Sequence, residues 1–424
     1  MRILIDITDF LLHLKHSDTV TGIQRVVAET IKGLGTVRDR QEVFLLYYSF
    51  WRECFVAIPL ASGDLNDPVA FRRLRRLCRV VAAGSENKRQ TWLSLGRAKR
   101  LVRERLFLRR LPGHKFLHKG FEREDRVVVP GAEWGIPNYA SRLKKAVQRD
   151  SATLILFCYD MIPIIHPEYT DNNFTENFSA FLNEIAPLTS LFISISETTK
   201  RDLLKFLHAN KLTRNVTVVP LAHEFCGLQV STQRDVGKIR TSVASVRTDP
   251  FILCVGTLEP RKNHWRLALA FENALTSLKR GSLRLVIAGR RGWNCDSFLD
   301  YLRGTANLDG HITWLDNPTD AELEWLYRQC LFSIFPSMYE GWGLPVGESL
   351  WFGKRCLASN KGAIPEVGGD AVDYFDPLNV DEITDIIVQH VRSADRIREF
   401  DERVERTKLR HGATSRNRLQ KQLN

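Results

Sequence analysis

The sequence contains no pair of cysteines at metal-binding or redox spacing. Its eight cysteines, Cys54, Cys78, Cys158, Cys226, Cys254, Cys295, Cys330 and Cys356, never approach closer than 24 residues. That excludes a C-x-x-C site. Several lie in apolar runs, as Cys254 does between Leu253 and Val255, and read as small buried hydrophobes suited to a reducing compartment. No uninterrupted apolar run reaches the roughly 18 residues of a membrane-crossing helix. The opening Met-Arg-Ile-Leu-Ile-Asp reads as a short strand and not as a secretory leader, so a cytoplasmic chain is expected. Negative charge is in deficit, with 49 Asp and Glu against 61 Lys and Arg, a formal net charge of +12. The surplus is local. Residues 72–126 hold 18 Lys or Arg and five Asp or Glu, which leaves the rest of the chain close to neutral and excludes a uniformly basic fold.

What is present is an alternation of strands and helices over 424 residues, enough for two or three domains. In the second half, apolar runs at 251–256, 283–289, 312–315, 331–336 and 354–359 alternate with helical patterns from about Asp296, Asp320, Pro345 and Val380. In the first half, strands are expected at 2–5, 42–48, 126–129, 154–158, 191–195 and 216–219. Helices are expected at 22–34 and at 197–207, the latter behind a Ser196 cap. The fold class is therefore α/β, with two Rossmann-like doubly wound domains facing a central cleft. We place an N-terminal domain at 1–225 with a basic insertion at about 60–124, and a linker at 226–249. A C-terminal domain follows at 250–395, with a helical tail at 396–424.

Ligands of such sheets sit beyond the carboxyl ends of the strands, and four loops fall there. Gly22 opens a helix where backbone N–H groups can approach an anion. In Gly256-Thr-Leu-Glu-Pro-Arg-Lys-Asn263, a helix is expected near Asn263, which puts Arg261 and Lys262 at the positive pole of its dipole. Two cations at that pole imply an anionic guest such as a diphosphate, with a solvated surface pair as the other reading. In Glu340-Gly-Trp-Gly-Leu-Pro-Val-Gly-Glu348, Pro345 fits the first helical position, and Glu348 in the first turn has a carboxylate that can accept from a ribose diol. The loop containing Tyr159 and Asp160 is the fourth; there the residues orient substrates, or Asp160 caps its own loop. His166, before Pro167, reads as a surface-loop histidine, with reach to the acceptor side of the cleft as the other reading. His13, His16 and His223 lie near strand ends without catalytic partners, and Glu366 reads as a cap for the turn that follows it.

Glu340 and Glu348 form an E-x7-E motif. Together with the Gly256–Asn263 loop, Thr21-Gly-Ile-Gln-Arg25, Ser194-Ile-Ser-Glu197 and Ala363-Ile-Pro-Glu366, it resembles the family-four retaining glycosyltransferases of GT-B fold. The resemblance is dense in the C-terminal half and patchy in the N-terminal half. It implies an acceptor-side role for the N-terminal domain and nucleotide-sugar binding for the C-terminal one. It also implies that Lys262 and Arg261 neutralise the donor diphosphate, that Glu348 binds the ribose and that Glu340 faces the transferred sugar. Backbone around Gly22 and around Gly343 and Leu344 would contact the phosphates and the sugar. Catalytic positions are thus Glu340, Lys262, Arg261 and Asp160. No metal and no separate cofactor are expected, since side-chain cations and helix N-termini carry the charge. Two departures stand out: Thr257 occupies a position where many members carry Arg, and Tyr159 one where many carry His.

The implied reaction is retaining transfer of a mannose-like hexose or deoxyhexose from a nucleotide-diphosphate sugar to a glycan acceptor. The acceptor is expected to be lipid-linked, in cell-surface polysaccharide (lipopolysaccharide) biosynthesis. Another GT-B enzyme, such as a nucleotide-sugar epimerase or a phosphorylase, is the alternative; a non-catalytic binder of anionic lipid is a third. The basic segment interleaves cations with aliphatics: Leu95, Ala98, Leu101, Val102 and Leu106 share one arc of a helix, with Arg105 and Arg109 intruding. We read it as a peripheral contact with the anionic inner face of the cytoplasmic membrane, against a solvated insertion packed on the N-terminal domain. Nucleic acid is not an expected partner, because the segment has few aromatics for base stacking.

Overall fold

The computed structural model describes residues 2–16, 22–34, 42–50, 52–60, 113–118, 120–150, 152–225, 239–278, 283–392 and 394–423, with Leu77, Val102, residues 104–106 and Leu108. Much of the 60–124 insertion and residues 226–238 of the expected linker lie outside these.

Two sheets form the frame. The first runs in the order β4-β3-β2-β1-β5-β6-β7-β8, with β1 Arg2–Asp6, β2 Glu42–Ser49, β3 Cys54–Pro59, β4 Lys115–Leu117, β5 Asp125–Val129, β6 Thr153–Cys158, β7 Thr189–Ser194 and β8 Asn215–Val218. The second runs β11-β10-β9-β12-β13-β14, with β9 Phe251–Val255, β10 Arg284–Ala288, β11 Ile312–Leu315, β12 Phe332–Phe335, β13 Cys356–Ser359 and β14 Asp373–Phe375. The second sheet is parallel throughout. Its strands are buried on both faces, which is why they read as continuous apolar runs.

The expected strands and helices are found, with ends shifted by a few residues. The sequence reading did not include β14, at the edge of the second sheet, or β3 and β4, which pair antiparallel at the edge of the first. β3 is an unbroken apolar run ending in Pro59, without the alternation that marks an antiparallel strand, and its partner β4 lies within the expected insertion. The Ser196 cap is present, its hydroxyl accepting from the Thr199 amide at 2.9 Å at the start of helix Glu197–Ala209.

In each sheet the strand order reverses once near the centre, between β1 and β5 and between β9 and β12. Crevices at such points are where these sheets take ligands. The two sheets present their crevices to each other. The apolar core crosses the boundary, running from Ile5 and Phe157 of the first domain to Trp342, Val346 and Leu350 of the second. The chain end returns to the first domain. Helix Gly412–Leu423 packs on helix Ile23–Leu34, where Arg416 pairs with Glu29 at 2.5 Å and the Ser415 hydroxyl donates to the Pro220 carbonyl at 2.7 Å. No helix of the described residues is long and apolar enough to cross a membrane.

Candidate functional site

The loops after β9 and β12 flank the crevice of the second sheet and bring Arg261, Lys262 and Glu340 together. After β9 the chain makes a short turn at Pro260–Lys262. Asn263 then takes a left-handed conformation (φ 60°) and helix His264–Leu278 begins. The Asn263 amide donates to the Pro336 and Pro377 carbonyls at 3.1 and 2.7 Å, which locks this loop to the ends of β12 and β14. Arg261 and Lys262 therefore do not lie on the helix itself but just before its N-terminus, where the sequence placed them.

Nor do these cations lack partners. Lys262 Nζ lies 2.5 Å and Arg261 Nη1 2.7 Å from Glu340 Oε1, and Arg261 Nη2 lies 2.6 Å from Glu259 Oε1. Ser337 donates to the same Glu340 oxygen at 2.6 Å. Burial acts to raise the Glu340 pKa, but Arg261 and Lys262 outweigh it and hold the group at about 2. Burial likewise opposes the Arg261 charge, and Glu340 and Glu259 overcome it. The pair is therefore not the solvated surface pair of the other reading, and with carboxylates balancing it, charge alone does not call for an anionic guest. An incoming diphosphate would share or displace Glu340 as the partner of Lys262. With three donors on Oε1, Oε2 is the oxygen that a sugar hydroxyl could use.

Glu348 lies in the second turn of helix Leu344–Trp351, not the first, since Gly343 is the N-cap and Pro345 the second helical residue. Gly343 holds φ 108°, a conformation that glycine adopts without a Cβ penalty. Both Glu348 oxygens have protein donors: Arg25 Nη1 at 2.8 Å on Oε1 and the Tyr327 hydroxyl at 2.9 Å on Oε2. Arg25 comes from helix Ile23–Leu34 of the first domain, also approaches Asp320 at 3.5 Å, and stacks on Phe225 with 5.2 Å to the ring centre. The carboxylate expected at a ribose is thus held from across the cleft. Gly22 has φ 54° and opens the helix that carries Arg25.

Asp160 takes the capping role of the two readings made of it. Its Oδ1 accepts from the Ile162 amide at 3.0 Å, so it caps its own loop. Burial raises its pKa while the facing Arg261 acts in the other direction. Tyr159 does not present its hydroxyl to the cleft: the side chain is buried and donates to the Pro130 carbonyl at 2.5 Å. The expectation that Tyr159 orients a substrate hydroxyl is corrected on that ground.

Glu366 also departs from its expected role. Its two oxygens accept from the Glu197 and Thr198 amides at 2.7 and 2.8 Å, so it caps a helix of the other domain and not its own turn. His223 is buried between the Arg410 amide, which donates to Nδ1 at 2.7 Å, and the Val367 carbonyl 3.0 Å from Nε2; burial lowers its pKa to about 4. His166 pairs with Glu168 at 3.1 Å and packs on Tyr339, next to Glu340, with 4.8 Å between ring centres. His13 and His16 belong to helix Thr8–His16.

Sequence reasoning missed Arg25 and Tyr327 as partners of Glu348, Ser337 as a donor to Glu340, and Thr199. The Thr199 hydroxyl lies 3.1 Å from the Tyr159 carbonyl and 3.4 Å from the Gly341 carbonyl, at the seam between domains. Arg25 stood within a motif already singled out. Tyr327 and Ser337 gave no signal beyond their neighbourhood. Among the described residues no cluster of His, Cys, Asp and Glu could hold a metal ion.

Comparison with known proteins adds to this geometry. Residues 235–407 match the family model of glycosyl transferases group 1. The O-antigen chain mannosyltransferase B of Escherichia coli is 28% identical over 266 residues, 60% of this chain and 64% of that protein. The serotype-specific mannosyltransferase WbdA of Escherichia coli is 29% identical over 196 residues, 45% of this chain and 24% of that one. The alignments thus span less than two thirds of either relative. Anabaena HepE, solved with UDP and glucose, superposes over 100% of this chain and 99% of its own with a TM-score of 0.61 at 14% identity. A trehalose-6-phosphate structure from E. coli bound with UDP-2-fluoro glucose superposes with a TM-score of 0.60 at 12% identity, again over the whole chain. These two likenesses are of fold, and they bear out the GT-B arrangement.

Proposed function

With residues 235–407 matching the glycosyl transferases group 1 family on a GT-B frame, we propose that this protein moves a sugar from a nucleotide-diphosphate donor to a glycan acceptor. Mannose or a mannose-like hexose is the donor sugar that the relatives named above favour. A polysaccharide destined for the cell surface, built on a lipid carrier, is the acceptor class that fits an O-antigen enzyme among them. The observation that carries the reading is the convergence of Arg261, Lys262 and Glu340 at the crevice of the second sheet, with Glu348 one helix turn deeper.

In this reading the bond from the donor anomeric carbon to its phosphate oxygen breaks, and a bond from that carbon to the acceptor hydroxyl oxygen forms. Arg261 and Lys262 stabilise the charge that grows on the leaving diphosphate. A carboxylate held near pKa 2 is a weak base. Glu340 is therefore assigned to orienting the sugar and the cations, and the acceptor proton passes to the leaving phosphate, with retention at the anomeric carbon. Because side chains supply the positive charge, transfer is expected to persist in EDTA; loss of activity restored by a divalent ion would overturn that part.

The test is radiolabelled sugar transfer to an isolated lipid-linked glycan. Lys262→Ala is expected to lower turnover by at least 100-fold with the circular dichroism spectrum unchanged, and full activity would remove the donor-site assignment. Donor and enzyme without acceptor separate this reading from epimerisation, since an epimerase alters the donor alone, visible by NMR. Peripheral membrane contact through 72–126 is part of the proposal. Val102 and Leu106, 54% and 51% exposed on either side of exposed Arg105, favour a surface contact there. Flotation with vesicles should then require anionic lipid.

A further inference from the structure

Past Arg261 the cleft opens into a cavity of about 130 Å3 whose wall is built by both domains. The first domain contributes Trp134, Phe174 and Phe178. Trp134 meets the two phenylalanines edge-on, with ring centres 6.4 and 5.2 Å away. The second domain contributes Trp293, from the loop after β10. Phe174 and Trp293 remain 41% and 37% exposed, although they are large apolar side chains within one cavity. Trp293 is held in place: its indole N–H donates to the Tyr169 carbonyl of the first domain at 3.2 Å. One aromatic plane is thus fixed across the cleft from the others.

The floor is of opposite character. Asp160 and Arg261 line it, and Asp160 commits only Oδ1 to its own loop. An all-hydrocarbon occupant would cover the Asp160 oxygen that the loop leaves uncommitted without replacing its hydration, which is unfavourable. A fully polar occupant would leave the aromatic wall uncovered. A pyranose ring has one face of C–H groups and a rim of hydroxyls, and so satisfies both surfaces. We infer that the cavity is a subsite for a pyranose ring of the acceptor, and that Trp293 is a specificity-determining residue for it supplied by the donor-side domain. The inference rests on the transfer reading above and adds to it that the acceptor subsite exists only while the domains are closed, because its two aromatic walls belong to different domains.

Saturation-transfer NMR on the full chain tests this, with methyl α-D-mannopyranoside and n-octanol as probes and no donor present. The ring C–H protons of the mannoside should receive saturation from the wild-type protein. That signal should fall at least fivefold in Trp293→Ala and be largely kept in Trp293→Phe. The thermal shift given by GDP-mannose or UDP-glucose should be the same in all three proteins. A mannoside signal unchanged in Trp293→Ala overturns the proposal, and so does saturation of octanol with none of the mannoside. A loss of the nucleotide-sugar shift in Trp293→Ala also overturns it, since the residue would then serve the donor. Failure of the wild type to bind any nucleotide sugar, with the mannoside signal intact and Trp293-dependent, would remove the transfer reading and leave the sugar subsite standing.

Discussion

At the scale of single residues, the proposed chemistry turns on how Glu340 is held. Its pKa of about 2 lies below the ordinary carboxylate value of 4.5. The folded state therefore binds its proton less readily than the unfolded chain, and the stability this contributes is present above about pH 4.5 and lost as the pH falls toward 2. The stability difference between wild type and Glu340→Gln in urea should accordingly be constant from pH 7 to 5 and collapse below 4.5. His223 works in the acid range as well. With its pKa lowered to about 4, the folded state resists protonation that the unfolded chain accepts near 6.5. Stability should fall on acidification from 6.5 to 4, by on the order of 1–3 kcal/mol from this group. A thermal-melt series with His223→Gln should show a shallower decline over that window. The placement of Glu340, Lys262 and Arg261 in loops at strand ends was legible in the sequence because each loop follows an apolar strand. The donors that occupy Glu348 were not. Arg25 lies 323 residues away along the chain, and only the closed cleft brings the two within 2.8 Å.

At the scale of elements, alternation of apolar runs with helical patterns was enough to place the parallel strands except β14, a three-residue edge strand with one fully buried residue, because burial on both faces makes the central strands continuous apolar runs. The antiparallel edge escaped because β3, although it pairs with its neighbour β2, is an unbroken apolar run without alternation, and its other partner, β4 at Lys115–Leu117, lies far along the chain within the expected insertion. The role of Glu366 was illegible for a similar reason: its carboxylate reaches the start of a helix whose sequence already carries its own cap, Ser196. Two amide hydrogen bonds to one carboxylate make this a charge-assisted helix cap between domains. Glu366→Ala should lower stability by about 1–2 kcal/mol, read as an earlier urea midpoint. An unchanged midpoint would show that the contact between domains carries no net stability.

At the scale of the molecule, the net charge of +12 says little about the reaction, because the surplus lies in 72–126 and the frame around the cleft is near neutral. The proposed transfer would depend instead on how closely the two domains meet. Gly341 sets that limit: a Cβ there would lie 1.9 Å from the Tyr159 carbonyl oxygen and 2.8 Å from Asp160 Cβ. Gly341→Ala should therefore hold the cleft open, with a larger radius of gyration in solution scattering and loss of transfer, while each domain stays folded. The whole reading stands on a nucleotide-diphosphate sugar binding between Lys262 and Glu348. Calorimetric titration of a nucleotide-sugar panel into wild type, Lys262→Ala and Glu348→Gln measures this directly. At least one nucleotide sugar should bind the wild type with one-to-one stoichiometry and at least 30-fold more weakly to both variants. Binding of none of them to the wild type, or equal binding to all three proteins, would show that the cleft is not a donor site.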